Sequence, residues 1–218
     1  MLAVITGDLI DSSSLDKRER RFLLNKLNSA LAQWSIDFDM NYEIFRGDSF
    51  QCLIPNPRYA LRLSLIILSY LRGLKGKRLS ILMKNHSKPV FKQKFNARIA
   101  IGIGKAELLD ARPGRSFGEA FLLSGHALDK LKFSKQCLTI DTADSYRNEL
   151  STSVYLLDFI LSGLSAQQSE ALCLRLLGYN ENEIAQMLGV NQSAVSQRLS
   201  AAGWRAISAC IRRFESIY

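Results

Sequence analysis

No Asp or Glu occurs between Ser49 and Ala106, a stretch that holds twelve Lys and Arg. A block of one sign excludes a self-neutralised surface and implies an anionic counterpart, whether nucleic acid, a polyphosphate or the ions of bulk solvent. The net charge of +9 comes from residues 1–150, with 24 Lys and Arg against 15 Asp and Glu, whereas residues 151–218 carry five of each. Proline is scarce at four and no low-complexity tract occurs, which excludes a disordered or collagen-like chain. The four cysteines, Cys52, Cys137, Cys173 and Cys210, are isolated in mostly apolar surroundings. With no Cys-x-x-Cys pair, zinc-ribbon and dithiol redox chemistry are excluded, and the expectation is buried thiols in a reducing compartment. No apolar run approaches the roughly 18 residues of a membrane span, so no membrane partner is expected. The first residues read as a strand followed by Gly7-Asp8, which leaves no room for a signal peptide and points to a cytoplasmic protein.

What is present suits one core of about 150 residues with a small appended module. The reading divides the chain into a sheet domain over 1–150, a connector over 151–163 and a helical module over 164–218. Residues 2–6 are a buried strand, and the turn at 7–14 leads into a helix over 16–34 with Ser14 as its cap. Phe22, Leu23, Leu27, Ala30, Leu31 and Trp34 form the apolar face of that helix. Strands 41–46 and 50–54 make a hairpin around Gly47-Asp48, closed by Pro55-Asn56-Pro57. A helix over 58–74 follows, then the basic segment 75–94, read as mobile. Alternating Ile99, Ile101 and Ile103 mark a strand over 96–104 whose Ala100 and Gly102 admit close packing on the other face. A helix over 119–133 turns Phe121, Leu122, Leu128 and Leu131 inward; its His126 reads as a surface or satisfied side chain before a ligand. A strand over 136–140 completes a β-α-β-β-α-β-α-β order with helices on one face, an α+β fold. Residues 154–161 fit an edge strand or a helix equally.

The module has the most specific pattern. Ser165 caps a helix over 166–177. Asn180 with Glu183 forms a capping box for 181–188, and Gly189 turns the chain into a third helix ending near Ala202. Ile184, Ala185, Leu188, Val190, Val195 and Leu199 are spaced to hold two short helices at a steep angle, a helix-turn-helix. Gln192, Ser193, Ser196, Gln197 and Arg198 are the exposed positions of the third helix, suited to base edges and phosphates of double-stranded DNA. The segments LSAQQSEAL, NENEIAQMLGV and NQSAVSQRLSAAGW resemble the helix-turn-helix of LuxR-type regulators and of region 4 of sigma-70 factors. The resemblance implies DNA binding, while the neutral charge of the module also suits protein contact. The stripe Ile207, Cys210, Ile211 and Phe214 serves either a homodimer contact or docking on the sheet domain.

Two acidic tips, Asp8 after the first strand and Asp48 in the hairpin, are the remaining chemistry. AVITGDLIDSS, FRGDSFQCLI, ARIAIGIG and SFGEAFLLSGHALDKLK resemble the SatD family and, more distantly, the catalytic domains of class III nucleotidyl cyclases and diguanylate cyclases. That resemblance implies a ferredoxin-like βαββαβ core in which Asp8 and Asp48 hold Mg²⁺ or Mn²⁺, with the Leu9 carbonyl as a further ligand. It also implies a nucleotide whose phosphates rest on the backbone of Ile10, Asp11, Ser12 and Ser13 and whose charge Arg46 or Arg115 neutralises. The sequence departs from the cyclases where their helix carries Asn and Arg: Leu122 and His126 stand at those places, and Ser49 stands where the diguanylate cyclase signature has Glu. Three readings follow. The chain is a DNA-binding regulator with a cyclase-like sensing domain, a metal-dependent nucleotidyl- or phosphoryl-transfer enzyme using Asp8 and Asp48, or a non-catalytic interaction protein.

Overall fold

The computed structural model describes residues 1–45, 47–74, 95–106, 113 and 116–218. Arg46, Arg115 and the basic segment 75–94 therefore lie outside the described residues.

Strand β1 (Leu2–Leu9) is the centre of a five-stranded sheet. Helix α1 (Lys17–Asp37) leads to the hairpin β2 (Asn41–Phe45) and β3 (Ser49–Ile54), and helix α2 (Ala60–Gly73) leads to β4 (Ala97–Gly104). Helix α3 (Glu119–Leu131) leads to β5 (Leu138–Thr142), giving the order β2-β3-β1-β4-β5. β1 runs antiparallel to both β3 and β4, whereas β4 and β5 are parallel. The alternating strand pattern and the Gly47-Asp48 hairpin thus fold as their sequences indicate.

Helices cover both faces of this sheet, not one. Ala3, Ile5, Cys52, Ile54, Ile99, Ile101 and Ile103 face α1 and α2 in the main core. The opposite face carries Val4, Leu53 and Ala100 and is covered by α3 through Ala120, Ala127, Leu128 and Leu131. An apolar second face cannot be left to water, so it needs its own helix. Leu122, expected inward, is 61% exposed, because the side of α3 that meets the sheet is the small one, Ala120, Ser124 and Ala127. Phe22 is likewise 39% exposed, its ring 6.4 Å from that of Phe95, while Leu23, Leu27, Leu31 and Trp34 form the buried side of α1. The cap of α1 is Asp16, which accepts from the N–H groups of Arg18 and Glu19 at 2.9 and 2.8 Å; Ser14 instead closes its own turn onto the Asp11 carbonyl.

Residues 147–162 settle as a helix, α4 (Arg147–Ser162), which buries Leu150, Val154, Leu157 and Leu161 and leaves Tyr155, Leu156 and Phe159 in solvent. Helices α5 (Ala166–Leu176), α6 (Glu181–Leu188), α7 (Gln192–Ala201) and α8 (Trp204–Ile217) follow. α2 is buried almost all round because the sheet lies on one side and α5 on the other. A Cβ at Gly73 would stand 3.3 Å from the Glu170 backbone, a tight fit that α5 would meet by giving a few tenths of an ångström. The stripe of α8 docks on the sheet domain: Ile207, Ile211 and Phe214 are buried in the core that also holds β1, α1 and α2. Arg62 pairs with Glu215 at 2.7 Å and Arg213 with Glu149 at 2.8 Å across the same junction. A dimer contact through that stripe is thereby closed off. The thiols are all free, and burial pushes Cys52 and Cys173 up to about 12, which keeps them protonated and unreactive at neutral pH.

Candidate nucleic-acid interface and acidic sheet edge

The helix-turn-helix is built from local signals. The Ser165 hydroxyl accepts from Gln168 N–H while the Gln168 side chain accepts from the Ser165 N–H at 2.7 Å, a reciprocal box that starts α5. Asn180 and Glu183 form the same box for α6, the Asn180 N–H reaching Glu183 Oε2 at 2.7 Å. Gly189 ends α6 at φ 63°, a left-handed conformation that favours glycine. Asn191 then starts α7 by accepting the Ala194 N–H at 2.7 Å. Ala171, Ile184, Ala185, Val195 and Leu199 are the buried centre, with Leu174, Leu188, Val190 and Trp204 around them. Ala185 fits the crossing because a larger side chain there would hold α6 and α7 apart.

Of the five positions read as exposed on α7, Gln192, Ser193 and Gln197 are exposed, and Ser196 and Arg198 are half-buried. The difference follows from the helix turn, since Ser196 and Arg198 flank the buried Val195 and Leu199. The Gln192 amide donates to the Glu181 carboxylate, which ties the N-terminal ends of α6 and α7 together. The exposed side of the helix offers the Ser193 hydroxyl and the Gln197 amide, groups that pair with base edges and phosphate oxygens.

The acidic tips lie at one edge of the sheet but turn to different partners. Asp8 stands opposite Ser49 on β3 and Arg98 on β4, and Leu9 N–H donates to the Asp48 carbonyl at 2.9 Å. Asp8 Oδ2 meets Arg98 Nη1 at 3.3 Å, whereas Asp48 Oδ2 accepts from Ser12 Oγ at 3.0 Å. Asp8 Oδ1 is buried with no hydrogen-bond partner among the described residues. Burial raises the Asp8 carboxyl above its usual range, and the Arg98 guanidinium opposes that rise. Among the described residues no three His, Cys, Asp or Glu side chains converge as a metal-holding group.

The turn read as a phosphate cradle is largely closed on itself. Ile10 N–H donates to the Asn96 carbonyl at 2.9 Å, so that group is not turned to a ligand. Asp11 takes a left-handed φ of 55°, Ser12 is buried, and the Ser12 carbonyl accepts Arg20 Nε and Nη2 at 3.0 and 2.9 Å. Ser13 is exposed. On α3, Leu122 and His126 both face solvent. Sequence reasoning missed Arg98, which the strand register sets beside Asp8; a lone basic residue in an apolar strand was the available signal.

No helix among the described residues is long and apolar enough to cross a membrane. A search of curated proteins returns no match. A family model does match one part of the chain, running from the middle of α4 through α5, α6 and α7, and the family is that of a DNA-binding domain. Residues 156–202, which hold the helix-turn-helix of α6 and α7, match the family model Sigma-70, region 4, so this part of the chain is similar to a DNA-binding helix-turn-helix.

Proposed function

We propose that the protein is a DNA-binding regulator whose region-4-type helix-turn-helix is carried on the α+β sheet domain. One observation carries this reading: Gln192, Ser193 and Gln197 stand exposed at and near the N-terminal end of a capped α7, inside the segment that matches Sigma-70, region 4. Recognition helices read the major groove with such positions, and a well-formed side-chain pair with a base edge contributes about 1–3 kcal/mol. The test is a gel-shift selection on the full chain with a random duplex library. The selected duplex should bind Ser193→Ala/Gln197→Ala about 10- to 100-fold more weakly than the parent. Equal binding by the two proteins would sink this assignment of the reading face.

A second reading concerns the sheet edge. The order β2-β3-β1-β4 with alternating helices is that of a β-α-β-β-α-β unit, which supports a cyclase-like sensing domain. Asp8 Oδ1, buried and without a partner among the described residues, favours a cation or donor placed there. In this reading Asp8 and Asp48 bind one Mg²⁺ or Mn²⁺ that in turn holds the phosphates of a nucleotide. Arg98 must then swing from Asp8, and Ser12 orients the Asp48 carboxylate. Calorimetric titration with Mn²⁺ should show binding that Asp48→Asn weakens at least tenfold; identical isotherms would remove the metal from this edge.

A further inference from the structure

Three guanidinium groups converge beside the helix-turn-helix. A cleft of about 320 Å³ opens between α2, the end of α5 and the start of α8, and Arg62, Arg175, Trp204 and Arg212 line it. Arg62 is fixed on its wall: its Nε donates to Glu215 at 2.8 Å and its Nη1 to the Leu176 carbonyl at 3.4 Å. The Arg175 guanidinium carbon stands over the Trp204 ring, 5.4 Å from its centroid, and one of its nitrogens, Nη1, donates to the Tyr179 carbonyl at 3.0 Å. Arg212 is exposed and donates to Ser208 one turn back on its own helix. Among the described residues neither Arg175 nor Arg212 has a carboxylate partner in an ion pair. Among the described residues that line the cleft, Glu215 answers one of the three charges, which leaves a surplus of positive charge there.

The place of the cleft sets its partner. Gly178 on its rim stands three residues before Glu181, whose carboxylate meets the Gln192 amide at the start of α7. Three residues of chain span at most about 11 Å, so the rim lies within that reach of Glu181, and the Glu181 and Gln192 side chains bridge the rest of the way to α7. Guanidinium forks pair with phosphate in two parallel hydrogen bonds, and the face of an indole attracts such a cation. The module is neutral overall, so its affinity for a duplex depends on where its few arginines sit.

We propose that this arginine-lined cleft is a phosphate-binding site, and that the phosphate it takes is one of the duplex backbone flanking the base contacts of α7. The source of the phosphate rests on the DNA-binding reading; the site itself does not. The test therefore uses two titrants on the full chain, comparing the parent with Arg212→Ala and Arg212→Lys. Arg212 is exposed and its recorded contact is within its own helix, so both variants retain the fold; equal thermal midpoints check this. With a labelled duplex across a sodium chloride series, Arg212→Ala should bind about 3- to 10-fold more weakly, alike for all sequences. The slope of log affinity against log salt should fall by about 0.9, and Arg212→Lys should lie between. With inorganic pyrophosphate, the parent should bind and Arg212→Ala should not. Pyrophosphate binding lost in Arg212→Ala, with duplex binding absent or unchanged, supports the site with free phosphate as its source. Where the parent binds no duplex at all, it is the reading of α7 that fails. No effect of Arg212→Ala on either titrant overturns the proposal.

Discussion

Replacing Gly102 with alanine should cost about 3 kcal/mol or more of folding stability, read as a fall in the urea midpoint at an unchanged slope. A Cβ at Gly102 would lie 2.2 Å from the Ala120 carbonyl oxygen and 2.5 Å from the Ser124 nitrogen. Both are backbone atoms of α3, so no side-chain rotation relieves the clash and the whole helix must lift from β4. Gly125 on the same helix is the control, because a Cβ there meets nothing within 4 Å. Gly125→Ala should be neutral or stabilising by up to about 1 kcal/mol, from helix propensity alone. A Gly102→Ala protein within about 0.5 kcal/mol of the parent would mean that α3 does not sit on this face. The seat of α3 also sets the sheet edge, since it brings Ser124 Oγ to 2.9 Å from Thr6 Oγ1, which accepts in turn from Gln51 at 3.1 Å. That chain of polar groups runs along the face that carries Asp8.

The same close approach explains where sequence reasoning succeeded and where it did not. Ala100 and Gly102 were legible as room for close packing, but the partner was not, because size rather than polarity decides which side of α3 turns inward. Leu122 is apolar and spaced well, yet Ala120, Ser124 and Ala127 can approach a glycine strand and a leucine cannot. α4 was ambiguous for another reason. Apolar residues lie on all sides of it, with Leu150, Val154, Leu157 and Leu161 buried and Tyr155, Leu156 and Phe159 exposed, so no period distinguishes helix from strand. The helix-turn-helix was legible nearly to the residue, because its boundaries rest on caps, Asn180, Gly189 and Asn191, that act within four residues of themselves.

The candidate sites divide along the same line. The exposed Gln192, Ser193 and Gln197 follow from helix period, which is local. The engagement of Asp8 with Arg98 follows from the register of β1 on β4, a pairing between residues 90 apart in the chain. Arg62, Arg175 and Arg212 come from three helices, and no spacing along the chain announces that they meet.

Truncating Phe214 to alanine should cost about 3–5 kcal/mol and should destabilise the sheet and the C-terminal helical module together. Phe214 is 1% exposed, and the cluster around it runs without a break from Ile5 and Leu31 through Leu68 to Leu172, Cys173 and Ile211. A core shared in this way unfolds as one unit, because exposing either side of the junction exposes the other. The two tryptophans report the two parts, Trp34 on α1 and Trp204 at the start of α8. In Trp34→Phe and Trp204→Phe backgrounds, fluorescence and far-ultraviolet circular dichroism should give coincident urea transitions, and Phe214→Ala should lower every midpoint by the same amount. Tyr218 adds to the clasp, its phenol donating to the Asp144 carboxylate just past β5. Separate transitions for the two tryptophans would show a module that stands alone. Coincident ones make the sheet domain and the helices α5 and α8 that share its core one cooperative folding unit.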